Sequence, residues 1–191
     1  MQNIRILVKH PFFIMNSLPR KTIYTIGHST RPIEEFIHLL KMSKIQILVD
    51  VRRFAGSRKF PQFNPENLKV SLALENIEYD AIEKLGGRRK ANENSKNTIW
   101  KHPSFRGYAD YMETQEFHDG INELVEIANT KTAAIMCSEA VWWRCHRSMD
   151  ADYLKSVGWE VLHIIGESPP KEHPYTAPAR IVDGKLTYET I

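Results

Sequence analysis

Several short apolar runs, each separated from the next by a stretch of helical periodicity, constrain the fold of this chain more than any other feature. Gln46 to Val51 (QILVDV), Thr132 to Met136 and Trp159 to Ile165 (WEVLHII) are nearly continuous in apolar residues. That is how a strand covered on both faces reads. Thr22 to Ile26 is β-branched and aromatic and stops at Gly27-His28-Ser29-Thr30, which suits a strand entering a tight turn. Between these runs, Ile33, Phe36, Ile37 and Leu40 recur at helical spacing behind Pro32, with Glu34 and Glu35 placed to complement a helix dipole. Phe105, Tyr108, Tyr111 and Met112 form a second stripe, and Phe117, Ile121, Leu124, Val125 and Ala128 a third. Asn64-Pro65-Glu66 reads as a capped helix start, with that helix reaching about Asn76. Ile77 to Ile82 reads as a short strand, Ala91 to Thr98 as polar surface, and Cys145 to Val157 as a helix.

Alternation of this kind demands a mainly parallel sheet with helices on its faces and right-handed crossovers. The expected fold is a single Rossmann-like α/β domain over residues 22–191, with residues 1–21 as a loosely attached extension. Beyond Gly166, four prolines enforce an extended path, and Asp183-Gly184 between apolar residues predicts a hairpin-like tail.

A chain of 191 residues with 42% hydrophobic content can bury a sizeable core. Its formal charge of +3 is far from the dense basic patch that by itself indicates a nucleic-acid binder, although local cationic clusters remain available to an anion. Two cysteines without a signal peptide point to a reducing, cytoplasmic setting, and no apolar run is long enough to predict a membrane span.

The chemistry concentrates between Ala133 and Ser148, AAIMCSEAVWWRCHRS. Both cysteines of the chain, an acid, a histidine and two arginines lie here within eleven residues, on a strand end, a loop and a helix start. In an open parallel sheet ligands bind beyond the carboxyl ends of the strands. Three strands should bring polar residues to that edge: His28 and Ser29, then Asp50 with Arg52 and Arg53, then Cys137, Ser138 and Glu139. Helix N-termini and the guanidinium groups of Arg52, Arg58 and Arg147 favour an anionic occupant, and Ser29 and His146 complete the anion-binding set.

Each candidate also has a plainer reading. Asp50 and Arg52 suffice for a structural ion pair, and His28 for a turn-capping histidine. Cys137, at the end of a buried strand, fits a small packed hydrophobe, whereas Cys145 beside His146 and Arg147 has the better setting for a nucleophile. Trp142 and Trp143 fit core or lid packing, with stacking on a base as the alternative. No metal site is expected, because the cysteines are eight apart and Cys145 and His146, if helical, would diverge by about 100°. No cofactor is identified.

The strings YTIGHSTRP, LVDVR, PQFN, LGG, FRGYADYM, MCSEAVWWRCHRS and LTYE, in this order, resemble the bacterial and archaeal domain-of-unknown-function four-eighty-eight family over about Thr22 to Glu189. The resemblance implies a compact α/β domain and brings no activity with it. Two function classes follow from the residues. One is an enzyme acting on a nucleotide-like or phosphorylated substrate, with Glu139, Asp50 or His28 as acid or base and Cys145 or Cys137 as nucleophile. The other is a nucleic-acid-binding module gripping phosphates through Arg52, Arg53, Arg58, Arg88 and Arg89 without catalysis.

Overall fold

The computed structural model describes residues 21–190, and the expected extension over residues 1–21 falls almost wholly outside them. Its frame is a six-stranded sheet built from β1 (Thr22–Gly27), β2 (Ile47–Asp50), β3 (Glu78–Ala81), β4 (Ala133–Cys137), β5 (Glu160–Ile164) and β6 (Lys171–Glu172). The spatial order is β3-β2-β4-β1-β5-β6. The first five are mutually parallel, and the short β6 closes one edge antiparallel to β5. The expectation of a mainly parallel sheet flanked by helices holds.

The strand order explains why the central strands are apolar on both sides. The chain leaves β1 for β2 and β2 for β3 through α1 (Ile33–Met42) and α2 (Pro65–Ala73), moving one way across the sheet. It then moves the other way, from β3 to β4 through α3 (Pro103–Met112) and α4 (Gln115–Thr130), and from β4 to β5 through α5 (Arg147–Ser156). With right-handed crossovers, opposite directions of travel place helices on opposite faces. Two separate cores result. Leu48, Ala134, Met136 and Ile26 meet Phe36, Leu40, Leu68 and Leu72 on one face. Ile47, Val49, Ile135 and Val161 meet Tyr108, Phe117, Leu124 and Leu154 on the other.

Several local expectations change. Helix α2 stops at Ala73, short of Asn76, and Asn64 makes no capping bond: its Oδ1 accepts from the Ser57 N–H at 2.7 Å instead. Helix α5 begins at Arg147, so Cys145 and His146 precede it, after a 3-10 turn over Trp142–Arg144. The run Ala91 to Thr98 is not all surface, because Asn97 is buried and donates to Asp110 and Glu113. The tail hairpin is present as β7 (Arg180–Val182) and β8 (Lys185–Thr187), with Asp183 and Gly184 both at positive φ as a tight two-residue turn requires. No helix among the described residues is long and apolar enough to cross a membrane.

Candidate functional site

Register brings the strand ends together. Gly27 lies opposite Cys137, and Asp50 opposite Met136. The loops stay joined beyond the strands: the His28 and Ser29 N–H groups donate to the carbonyls of Cys137 and Ser138 at 3.0 and 2.9 Å, and the Val51 N–H donates to the Met136 carbonyl at 3.0 Å. Because β1 and β2 feed helices on one face while β4, between them, feeds α5 on the other, the chain parts at the exit of β4. Such a point opens a crevice. A cavity of about 340 Å³ occupies it, lined by Arg52, Arg53, Phe54, Gly87, Arg88, His102, Ser104, Phe105, Cys137, Ser138, Glu139, Arg144, Cys145 and His146.

At one wall of the cavity the two sulfurs and one imidazole converge. His146 Nδ1 lies 3.6 Å from Cys145 Sγ and 4.0 Å from Cys137 Sγ, and all three atoms fall within 4.8 Å of one another. His146 Nε2 is 3.2 Å from the Val51 carbonyl. A carbonyl can only accept, so Nε2 carries the hydrogen, and the Nδ1 of a neutral ring presents its lone pair to the sulfurs. Behind the cluster, the fully buried guanidinium of Arg147 donates from Nε to Cys145 Sγ at 3.4 Å and from Nη2 to the Glu139 carbonyl at 2.5 Å. It forms no ion pair with a carboxylate among the described residues, so the sulfur is its anionic neighbour in waiting. Burial pushes the Cys145 thiol up, but the bond from Cys137 and the Arg147 charge outweigh it and bring Cys145 down to about 7. Cys137, hydrogen-bonded to Cys145 and desolvated, is raised to about 12. Both are free thiols.

Asp150, one helical turn beyond His146, is fully buried beneath the cluster, and burial raises its carboxyl to about 6. The Tyr108 hydroxyl donates to its Oδ1 at 2.6 Å, while Oδ2 has no hydrogen-bond partner among the described residues. Tyr108 also packs against the His146 ring at 5.0 Å.

The residues after β1 and β2 serve a different purpose. Arg52 grips Asp50 from the side, Nε to Oδ1 at 2.8 Å and Nη2 to Oδ2 at 2.6 Å, and the Tyr79 hydroxyl donates to the same carboxylate at 2.9 Å. Arg52 further donates to the Phe63 carbonyl and to His28 Nε2. His28 donates from Nδ1 to the Ser29 carbonyl and stacks on Phe63 at 4.3 Å. It is therefore a neutral ring, and burial, with the Arg52 charge adding, lowers it to about 4 despite the Ser29 bond.

Of the residues singled out in the sequence, Arg52, Arg53, Arg88, Cys137, Ser138, Glu139, Cys145 and His146 line the cavity. Asp50 and His28 sit behind it, enclosed by the contacts just described. Arg147 is buried behind the sulfur rather than facing a ligand, Arg58 is exposed outside the cavity, and Ser29 is engaged through its backbone in the β1–β4 loop contact. Trp142 stacks on His163 at 4.5 Å, and the exposed Trp143 is not among the lining residues. The argument against convergence of Cys145 and His146 fails because Cys145 is extended and only His146, at the N-cap of α5, has helical backbone. Sequence reasoning counted Arg144 in the cluster without giving it a role, and missed His102 and Asp150. For Asp150 a signal was present, since His146 and Asp150 are four apart and share a face of the first helical turn.

No curated protein and no solved structure matches the chain. A family model does, over residues 32–154, which takes in α1 through most of α5 and every cavity-lining residue. The chain belongs to the family described as Domain of unknown function DUF488.

Proposed function

We propose that this protein is an enzyme acting on a small anionic substrate, phosphorylated or nucleotide-like, bound at the carboxyl edge of the sheet. The observation that carries this reading is the charge of the cavity wall. Arg53, Arg88 and Arg144 line it without an ion pair to any described carboxylate, and Glu139 is the one acidic side chain among the lining residues. Guanidinium groups with free donors around a concave space match a phosphate or carboxylate in geometry and charge. The sulfur and imidazole cluster lines the same cavity, and the reading gives Glu139, also on its lining, the role of general acid or base. Asp50 does not compete for that role, being bound by Arg52 and Tyr79.

The nucleic-acid reading loses two of its arginines to the fold. Arg52 is buried on Asp50, and Arg89 lies 3.6 Å over the Tyr111 ring and beside Glu116.

Calorimetric titration with inorganic phosphate, a nucleoside monophosphate and the uncharged nucleoside tests the proposal. The two anions should bind and the nucleoside should not, and Arg144→Ala should weaken anion binding by about 1.5–3 kcal/mol. Glu139→Gln should preserve binding while abolishing any turnover found in a panel of phosphoesters. Anion binding indifferent to both Arg53→Ala and Arg144→Ala would sink the reading.

A further inference from the structure

We propose that Cys137, Cys145 and His146 hold a single thiophilic divalent cation, Zn²⁺, through three protein ligands, with the fourth coordination position open to the cavity. Four features of the cluster point to a built site. The spacing is close to what a tetrahedral ion needs: zinc to sulfur and zinc to nitrogen bonds place two ligand sulfurs about 3.8 Å apart, and a sulfur and a nitrogen about 3.5 Å apart. His146 Nδ1 already stands 3.6 and 4.0 Å from the sulfurs, so side-chain shifts of well under a residue's length close the shell.

The imidazole is held in the tautomer a metal requires. Its Nε2–H donates to the Val51 carbonyl, which fixes the ring plane and turns the Nδ1 lone pair toward the two sulfurs. Metal-bound histidines almost always carry such an outer hydrogen bond. Arg147 supplies the same service to a sulfur, its Nε–H directed at Cys145 Sγ from a fully buried position. The fourth feature is Gly87. A Cβ there would stand 2.6 Å from His146 Nδ1, so the absence of a side chain keeps the space beside the ligand atom clear.

Binding replaces the two thiol protons: the ion forms bonds to both sulfurs and His146 Nδ1, and the protons leave to solvent. Three protein ligands with one open position is the arrangement of catalytic rather than structural zinc. The open position faces the cavity that Arg53 and Arg144 line, so an ion there would present a Lewis acid to the bound anion. In this respect the inference deepens the proposed function and rests on it for the identity of the active site, with the cysteines as ligands rather than nucleophiles.

The test uses the full chain, reduced and stripped with a chelator, then titrated with Co²⁺ and afterwards Zn²⁺. One equivalent of Co²⁺ should bind with the intense near-ultraviolet thiolate-to-cobalt charge-transfer band, and Zn²⁺ should displace it. In the unmodified protein, one equivalent of Zn²⁺ should suppress alkylation of Cys137 and Cys145 together, a readout independent of any variant's folding. Cys145→Ser should weaken Zn²⁺ affinity by more than about 100-fold, beyond the range usual for outer partners. Gly87→Ala, which crowds the imidazole without removing a ligand, should weaken it by about 10-fold. Cobalt binding without the sulfur band, or protection of one cysteine alone, overturns the site. Phosphate titration of the metal-free protein separates the two readings. Phosphate binding without zinc binding removes only the metal, and zinc binding without phosphate binding removes only the anion.

Discussion

Arg52 and Arg144 line the same cavity, yet their environments predict opposite behaviour. The Arg52 and Asp50 side chains are only 5% and 1% exposed, and Asp50 takes its charge compensation from that guanidinium. Removing one partner of a buried ion pair strands the other charge, which costs about 3–5 kcal/mol. Arg52→Ala should therefore lower the stability measured by urea denaturation by that amount. Arg144→Ala, at an exposed position, should change it by less than about 0.5 kcal/mol while weakening anion binding. A stable Arg52→Ala protein would show that Asp50 finds another partner. The lesson at this scale is that an arginine next to a strand end can belong to the ligand or to the scaffold, and only its neighbours decide which.

At the scale of elements, the site depends on how closely the β1 and β4 exits pack. Gly27 ends β1, and a Cβ placed there would lie 1.8 Å from the Glu139 carbonyl oxygen and 2.9 Å from Arg147 Nη2. Backbone stands in the way, so the loops would have to separate, breaking the His28 to Cys137 bond and moving the residues that carry Glu139. Gly27→Ala should destabilise the protein by about 3 kcal/mol, the upper range for overpacking. Gly56→Ala, where a Cβ meets nothing within 4 Å, serves as the control and should be close to neutral. Equal thermal midpoints for the two variants would refute the close packing of these exits.

The whole molecule is tied together by a buried relay from the tail to the first strand. Asp152 on α5 accepts from His173 Nε2 at 2.9 Å, His173 Nδ1 accepts from His163 Nε2 at 2.9 Å, and His163 Nδ1 accepts from Thr25 at 2.7 Å. This chain of roles leaves both rings neutral, because the carboxylate can only accept and each ring then has one hydrogen to pass on. Tyr188 and Thr176 donate to the other oxygen of Asp152, so the tail segments also depend on it. Burial, with the Arg147 charge adding, pushes His163 far below its ordinary 6.5, and His28 falls in the same direction to about 4. Below pH 6.5 the unfolded chain binds protons at these histidines that the folded chain refuses, so stability falls with pH and the loss continues as the folded values are approached. Asp150 and His146 oppose this in part: Asp150, held at about 6 when folded against 3.8 otherwise, and His146, raised against its burial by Cys137 and Asp150, both keep a proton in the folded state. Because the His163 shift is the largest of the four, denaturation at pH 7 and pH 5 should show a net loss on acidification. His163→Gln should reduce that pH dependence whatever it does to stability at pH 7. Identical pH dependence in the two proteins would remove His163 as the origin.

Much of this architecture was legible in the chain itself. Doubly covered strands advertise themselves by unbroken apolar runs, helices by stripes at three and four residues, and alternation of the two leaves few topologies, so the shared carboxyl edge follows from the sequence. The tight cluster of Cys137, Glu139, Cys145, His146 and Arg147 was visible because it is local. What the sequence left open were the partnerships between residues far apart in the chain. The Val51 carbonyl that orients His146 is 95 positions away, and the His28 ring that meets Arg52 is 24 away. Asn64 looked like a helix cap and instead holds Ser57, and Arg147 looked like a ligand residue and instead lies buried against a sulfur. Periodicity reports which face of an element is buried, because burial of apolar area repeats with the geometry of the element. It carries no record of which polar group waits on the neighbouring element, since that depends on strand order and register, and these are decided only when both cores close at once.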